Sequence, residues 1–209
     1  MSISNLEAIR KWSMTQDDGT TASNSEAMSE ERKIWLKDAM ESLLENTAQA
    51  LRDCAETIME PEPTDDPKGI EVIINGKMIA LDNLRDRVED LDNAKDLHKV
   101  GGLVPVIIAL RSQHSELRWR AADALGTCVQ NNIDCQNWAY EHKAHEMLTF
   151  LSLHEEEPMS RTKALYAISC LTRGHPDSLN YFLTHGAVDV LSAALREGDS
   201  KSKHKSKHE

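Results

Sequence analysis

Four side chains of metal-binding type fall close together, in the order Cys128-x6-Cys135-x6-His142-x2-His145. Thiolate and imidazole suit zinc, but structural zinc sites usually present two thiolates from one turn, as C-x2–4-C. Cys128 also shares a helical stripe with Ala121, Ala124 and Leu125, so a small buried thiol is the better account of it. His142 and His145 lie near a helix start and read as surface or boundary residues. No metal ligands are assigned.

Other chemistry is equally poorly served. The chain carries no P-loop, no G-x-S-x-G, no H-E-x-x-H and no dinucleotide glycine pattern. Glu155-Glu156-Glu157 precedes Pro158 and reads as a solvated acidic turn between helices. The Lys/His run after Lys201 reads as a short disordered basic tail, with a weak nuclear or anionic-surface tag as the other reading. The expectation is a protein that is not an enzyme and uses no cofactor.

The elements that could position a binding site are clearer. LRWRAADALGTCVQ (Leu117–Gln130) and SRTKALYAISCLTR (Ser160–Arg173) align at an offset of 43 residues, with Arg118 over Arg161, Ala121 over Ala164 and Ala124 over Ala167. Helical repeats of about 40 to 47 residues mark armadillo and HEAT solenoids. In each unit a short helix, a break and two longer helices follow one another. The units span residues 82–198, and the third, beginning at Ser178, is incomplete. The fold class is therefore all-α: an armadillo-like, right-handed helical solenoid preceded by N-terminal helices.

Upstream, residues 1–60 read as a helical region. It holds a short helix over 1–14, a flexible link at 15–29, and a helix capped by Ser29 and stopped at Pro61. Residues 61–81 read as a linker or a small hairpin. IEVIINGKMIAL (Ile70–Leu81) places Asn75-Gly76 between apolar runs, a type I′ signal, and Asp82 is read as the cap of the next helix. Residues 199–209 form the tail.

Composition narrows the function classes. Hydrophobic residues make up 40% of the 209, aromatics only 4% and charged residues 28%, a balance suited to stacked helices. A net charge of −11 argues against nucleic-acid binding, which needs clustered Lys and Arg. No eighteen-residue apolar run is present, so no membrane partner is expected. The polar N-terminus is unlike a secretory signal, and the four cysteines read as reduced. The localisation read from these features is cytoplasmic.

What remains is a groove. Third helices line the concave face of an armadillo superhelix, and their outward residues recur at helical spacing. The outward set is Trp119, Asp123, Thr127 and Gln130 on the first such helix, and Thr162, Tyr166, Cys170 and Arg173 on the second. Most read as merely solvated. Trp119 and Tyr166 stand out, because a large aromatic on an exposed helical face suits a binding hot spot. Arg118 and Arg161, at the start of each helix, fit either partner binding or repeat-to-repeat structure.

KWS (Lys11–Ser13), SEERKIWLKDAMES (Ser29–Ser42), LDNAKDLHKVGGLVPVI (Leu91–Ile107), RWRAADALGTCVQNN (Arg118–Asn132) and RTKALYAISCLTR (Arg161–Arg173) occur in that order. Together these blocks resemble the Hsp70-binding protein family. Its members are armadillo-type nucleotide exchange factors for cytosolic 70-kDa heat-shock chaperones. The resemblance implies a monomeric co-chaperone whose concave face clasps the chaperone's nucleotide-binding domain and promotes ADP release. It also implies about four repeats, so a chain ending within the third offers a shorter arc. An armadillo-type peptide-binding adaptor or scaffold is the alternative. Such grooves typically carry a Trp/Asn ladder, where this chain has Asp123/Thr127 and Tyr166/Cys170.

Overall fold

The computed structural model describes residues 29–63 and 65–192, with 41–46 described by backbone alone. The expected helix at 1–14, most of the 15–29 link and the 199–209 tail lie outside the described residues. The chain divides into two units between Leu43 and Leu44, within helix α1 (Glu30–Met59). In the first unit the Ser29 carbonyl accepts the Arg32 and Lys33 amides, and Glu30 and Glu31 occupy the first turn. Acidic side chains are favoured at that positive end. Ile34, Trp35 and Met40 are exposed.

The second unit begins with the rest of α1. Its buried stripe is Leu51, Ala55 and Ile58, at helical spacing. The helix ends before Pro61, which cannot continue it.

Residues 70–81 are neither hairpin nor linker. They lie inside helix α2 (Pro67–Arg87), which starts on an Asp66 cap with Pro67 in its first turn. Asp82 is mid-helix and caps nothing. Lys77, Ala80, Leu81, Leu84 and Val88 are all buried, a stripe of helical period that runs straight past the Asn75-Gly76 step. Burial of that continuous stripe outweighs the local turn preference. The cost of Gly76 in a helix is only about 1 kcal/mol relative to Ala.

The repeats follow. The first holds α3 (Leu91–Lys99), α4 (Leu103–Ala109) and α5 (Ser115–Val129). The second holds α6 (Ile133–Glu141), α7 (Ala144–His154) and α8 (Pro158–Thr172). The third begins with α9 (Pro176–His185) and continues helically over 187–192. No strand occurs among the described residues. The bends repeat too. The first helix of each unit is followed by a left-handed residue, Gly101, Lys143 or Gly186, and each third helix by Asn131 or Gly174. Glycine and asparagine tolerate that conformation well, whereas Lys143 adopts it at some strain.

Packing shows an additional repeat element. α5 packs chiefly against α8 on one flank and α2 on the other. Leu81, Leu84 and Val88 of α2 stand 40 residues before Ala121, Ala124 and Cys128 of α5, and all six are buried. α2 is thus a third helix in its own right, so three such helices lie side by side. Gly126 permits the closest approach: a Cβ there would stand 2.6 Å from the Tyr166 ring and 3.1 Å from Ala167 Cα.

Candidate partner-binding face

The face shared by α2, α5 and α8 is crossed by charged pairs joining one helix to the next. Arg120 Nε donates to both carboxylate oxygens of Asp82, at 3.1 and 3.0 Å. Lys163 Nζ donates to Asp123 Oδ1 at 2.8 Å, and Arg85 Nε lies 4.0 Å from Asp123 Oδ2. Asp123, read from sequence as a groove acid, is thereby neutralised from both sides. Arg120 also covers the ring of Trp119, its guanidinium carbon 4.0 Å from the ring centroid. This contact is a cation–π interaction.

The outward set divides three ways. Gln130, Thr162 and Arg173 are exposed, and Trp119, Asp123 and Tyr166 are half-buried. Thr127 and Cys170 are buried, at 9% and 6% exposure, so they do not belong to the face. The reason is lateral: neighbouring third helices cover each other's flanks, and helix phase alone does not tell flank from front. The Thr127 hydroxyl donates to the Asp123 carbonyl at 3.0 Å. Burial pushes the Cys170 thiol up from its ordinary value, leaving it protonated and a poor nucleophile.

Tyr166 belongs partly to the joint. Its ring packs over Gly126 and its hydroxyl donates to Gln130 Oε1 at 3.2 Å. Ile79 of α2 is left open on this face, 62% exposed, while Trp119 stays half-buried beside Arg120. Sequence reasoning missed Ile79 because it placed residue 79 in a linker or small hairpin, outside any helix. It also missed Arg120 and Lys163, whose partners lie 38 and 40 residues away.

Arg118 ties one repeat to the next. Its Nη2 donates to Glu155 Oε1 at 2.8 Å, and its Nη1 donates to the carbonyls of Ser112 and Gln113, both at 2.9 Å. The Glu155 side chain is only 5% exposed, so Glu155 is not part of a solvated turn. The Arg118 guanidinium holds its carboxyl below the usual carboxylate range. Arg161 repeats one half of the pattern, donating to the Glu155 carbonyl at 3.1 Å. Both arginines therefore tie the end of the preceding helix. Gln136, buried, does the same at the far ends, its Nε2 reaching the carbonyls of Val129, Cys170 and Arg173.

The four residues of the Cys/His pattern do not converge. Cys128 and Cys135 adjoin in the core, where their mutual hydrogen bond and burial push the Cys128 thiol well up. His142 faces His98, while His145 contacts Tyr140 and Tyr181. His145 is buried rather than a surface residue. Among the described residues no group of three or more potential ligands gathers.

Two family models cover the chain in succession: "Nucleotide exchange factor Fes1" matches residues 6–97 and "SIL1/FES1/HPBP1 C-terminal domain" matches 93–205. The second alone spans more than half of the chain. This chain belongs to the SIL1/FES1/HPBP1 family. Among curated relatives, the Hsp70 nucleotide exchange factor FES1 of Coccidioides immitis is 32% identical over 85% of this chain and 82% of its own length. Human Hsp70-binding protein 1 is 30% identical over 97% of this chain and 58% of its own. The FES1 of Eremothecium gossypii is 29% identical over 74% and 51% respectively. The chain thus spans only about half the length of several relatives it matches. A designed armadillo repeat protein solved with a (KR)4 peptide superposes at a TM-score of 0.55, with 16% identity, over 80% of this chain and 69% of that one. That likeness shows the fold, an all-α armadillo-like solenoid.

Proposed function

We propose that this family member is a nucleotide exchange factor for a cytosolic 70-kDa heat-shock chaperone, binding the nucleotide-binding domain with its third-helix face. The observation that carries the reading is the match of residues 6–97 to the family model for nucleotide exchange factor Fes1, continued over 93–205 by the SIL1/FES1/HPBP1 C-terminal domain. The face offers what a protein partner requires: Trp119 and Ile79 as apolar anchors, ringed by Asp82, Arg120, Lys163 and Gln130. The factor acts as a cytoplasmic monomer, without bond-making chemistry, cofactor, nucleic acid or membrane. A net charge of −11 repels polyanions, and no described helix is long and apolar enough to cross a bilayer.

Exchange then follows from linkage. The factor binds the open, nucleotide-free domain more tightly than the closed ADP form, so ADP must weaken factor binding by the same ratio. Titrating an isolated nucleotide-binding domain with the protein, with and without saturating ADP, tests this. The expected result is a Kd raised at least roughly tenfold by ADP, a coupling of about 1.4 kcal/mol. Equal affinity in both states contradicts the mechanism even if binding is tight.

A further inference from the structure

Five rings from three helices meet where the second repeat joins the third. Tyr140 of α6 stacks on His145 of α7, ring centroids 4.1 Å apart. His145 meets Tyr181 of α9 edge-on at 4.5 Å, and Tyr181 stacks on His185 at 4.0 Å. His175, the cap residue of α9, stands 5.1 Å from Tyr140. Besides these rings, α9 is held by Phe182, which packs partly buried against the core, and Ser178 is its one fully covered residue.

Two of these histidines work only as neutral rings. His175 is 6% exposed, and its Nδ1 accepts the Ser178 amide at 3.1 Å, which caps α9. A proton on Nδ1 turns that acceptor into a second donor and breaks the cap. His145 is 7% exposed, and its Nδ1 has no hydrogen-bond partner. A charged imidazole there would bury an unmatched N–H and a cation together. Burial holds His145 below its ordinary value. Of the charges that act on it, Lys143, His175 and His185 oppose protonation and Glu146 favours it. Asp177 lies in the first turn of α9.

We propose that this ring stack is an acid-sensitive latch. Protonation of His145 and His175 frees α9 from α7 and opens the third repeat, while the α2–α5–α8 layer stays folded. The selectivity follows from chemistry. The cross-repeat ties of that layer are apolar contacts and the Arg120–Asp82, Lys163–Asp123 and Arg118–Glu155 pairs, none of which contains a histidine, and the Arg118 guanidinium holds Glu155 below the ordinary carboxylate range. An imidazole ordinarily titrates about two units above a carboxylate. For one histidine of pKa near 6.5 whose protonation is suppressed in the closed form, lowering pH from 7.5 to 5.5 raises the open population about tenfold.

Amide hydrogen exchange on the full chain tests the latch, comparing α9 with α5 at pH 7.5 and 5.5 after correction for intrinsic rates. Protection of residues 178–185 should fall at least about tenfold relative to α5. In the double variant His145→Gln, His175→Asn, the relative protection should change less than about twofold, because Asn keeps a cap acceptor and neither residue titrates. Unchanged relative protection in the wild type overturns the proposal, as does an equal loss in the double variant. Should the double variant hold α9 poorly at pH 7.5, NMR titration of the wild-type histidines decides. A midpoint for His145 below its ordinary 6.5 that coincides with α9 opening supports the latch, and one at or above 6.5 overturns it. The outcome is independent of exchange activity.

Discussion

At the residue scale, Arg118 and Glu155 show how a charged pair can define a repeat. Arg118 satisfies two carbonyls at the end of its own preceding turn and a buried carboxylate one repeat on. Removing the arginine leaves Glu155 charged and covered, which is the costly way to break such a pair. Arg118→Ala should destabilise the protein by about 3 kcal/mol in urea unfolding at pH 7. Arg118→Ala, Glu155→Ala together should cost less than the two single changes summed. The pair also sets an acid response. The folded carboxyl titrates below its ordinary 4.5, so the unfolded chain takes up the proton first as pH falls. The stability is present above 4.5 and is lost as pH drops through the folded value. Arg118→Ala should flatten that step, and an unaltered step would show that the pair does not set it. The sequence displayed the Arg118–Arg161 repetition but not its meaning. The acceptors of Arg118 include a residue 37 positions away, and only the stacking of repeats brings that residue near.

At the element scale, α2 is the instructive case. A hairpin signal at Asn75-Gly76 is local, whereas the stripe Lys77–Leu81–Leu84–Val88 is a property of the whole helix and its neighbours. The two readings predict opposite effects of one substitution. Gly76→Ala should raise stability by about 0.5–1 kcal/mol, since the nearest atom to the new methyl, Thr57 Cγ2, is at an ordinary 3.8 Å. In a type I′ turn the same change would destabilise, so a lowered Tm would remove α2 from the array. The repeats at 91–192 were legible because their Ala/Leu/Cys stripes recur at fixed offsets. Thr127 and Cys170 were misread for a related reason: flank coverage is decided by the adjacent repeat. Lys77 hid the α2 stripe further, being a charged residue buried against Glu62 at 3.0 Å.

On the scale of the whole molecule, three third helices build one face, and its open side chains come from all of them. Trp119 is the anchor of the proposed interface, while Tyr166 serves the α5–α8 joint as well. Trp119→Ala should therefore weaken binding to a 70-kDa chaperone's nucleotide-binding domain by roughly 2 kcal/mol, read as about a thirtyfold higher Kd. Its urea midpoint should move much less than that of Tyr166→Ala. Equal losses of stability would make Trp119 a core residue and remove it from the face. The proposal that this face is an exchange surface rests on the family, since helix phase and charge pairing describe a surface without naming a partner. The most direct measurement preloads a cytosolic 70-kDa heat-shock chaperone with fluorescent ADP and follows its release on adding excess unlabelled nucleotide. The chain should accelerate release by at least about tenfold in a saturable manner, and Trp119→Ala should raise the concentration needed. Release that stays at the spontaneous rate while the protein is bound would contradict the account.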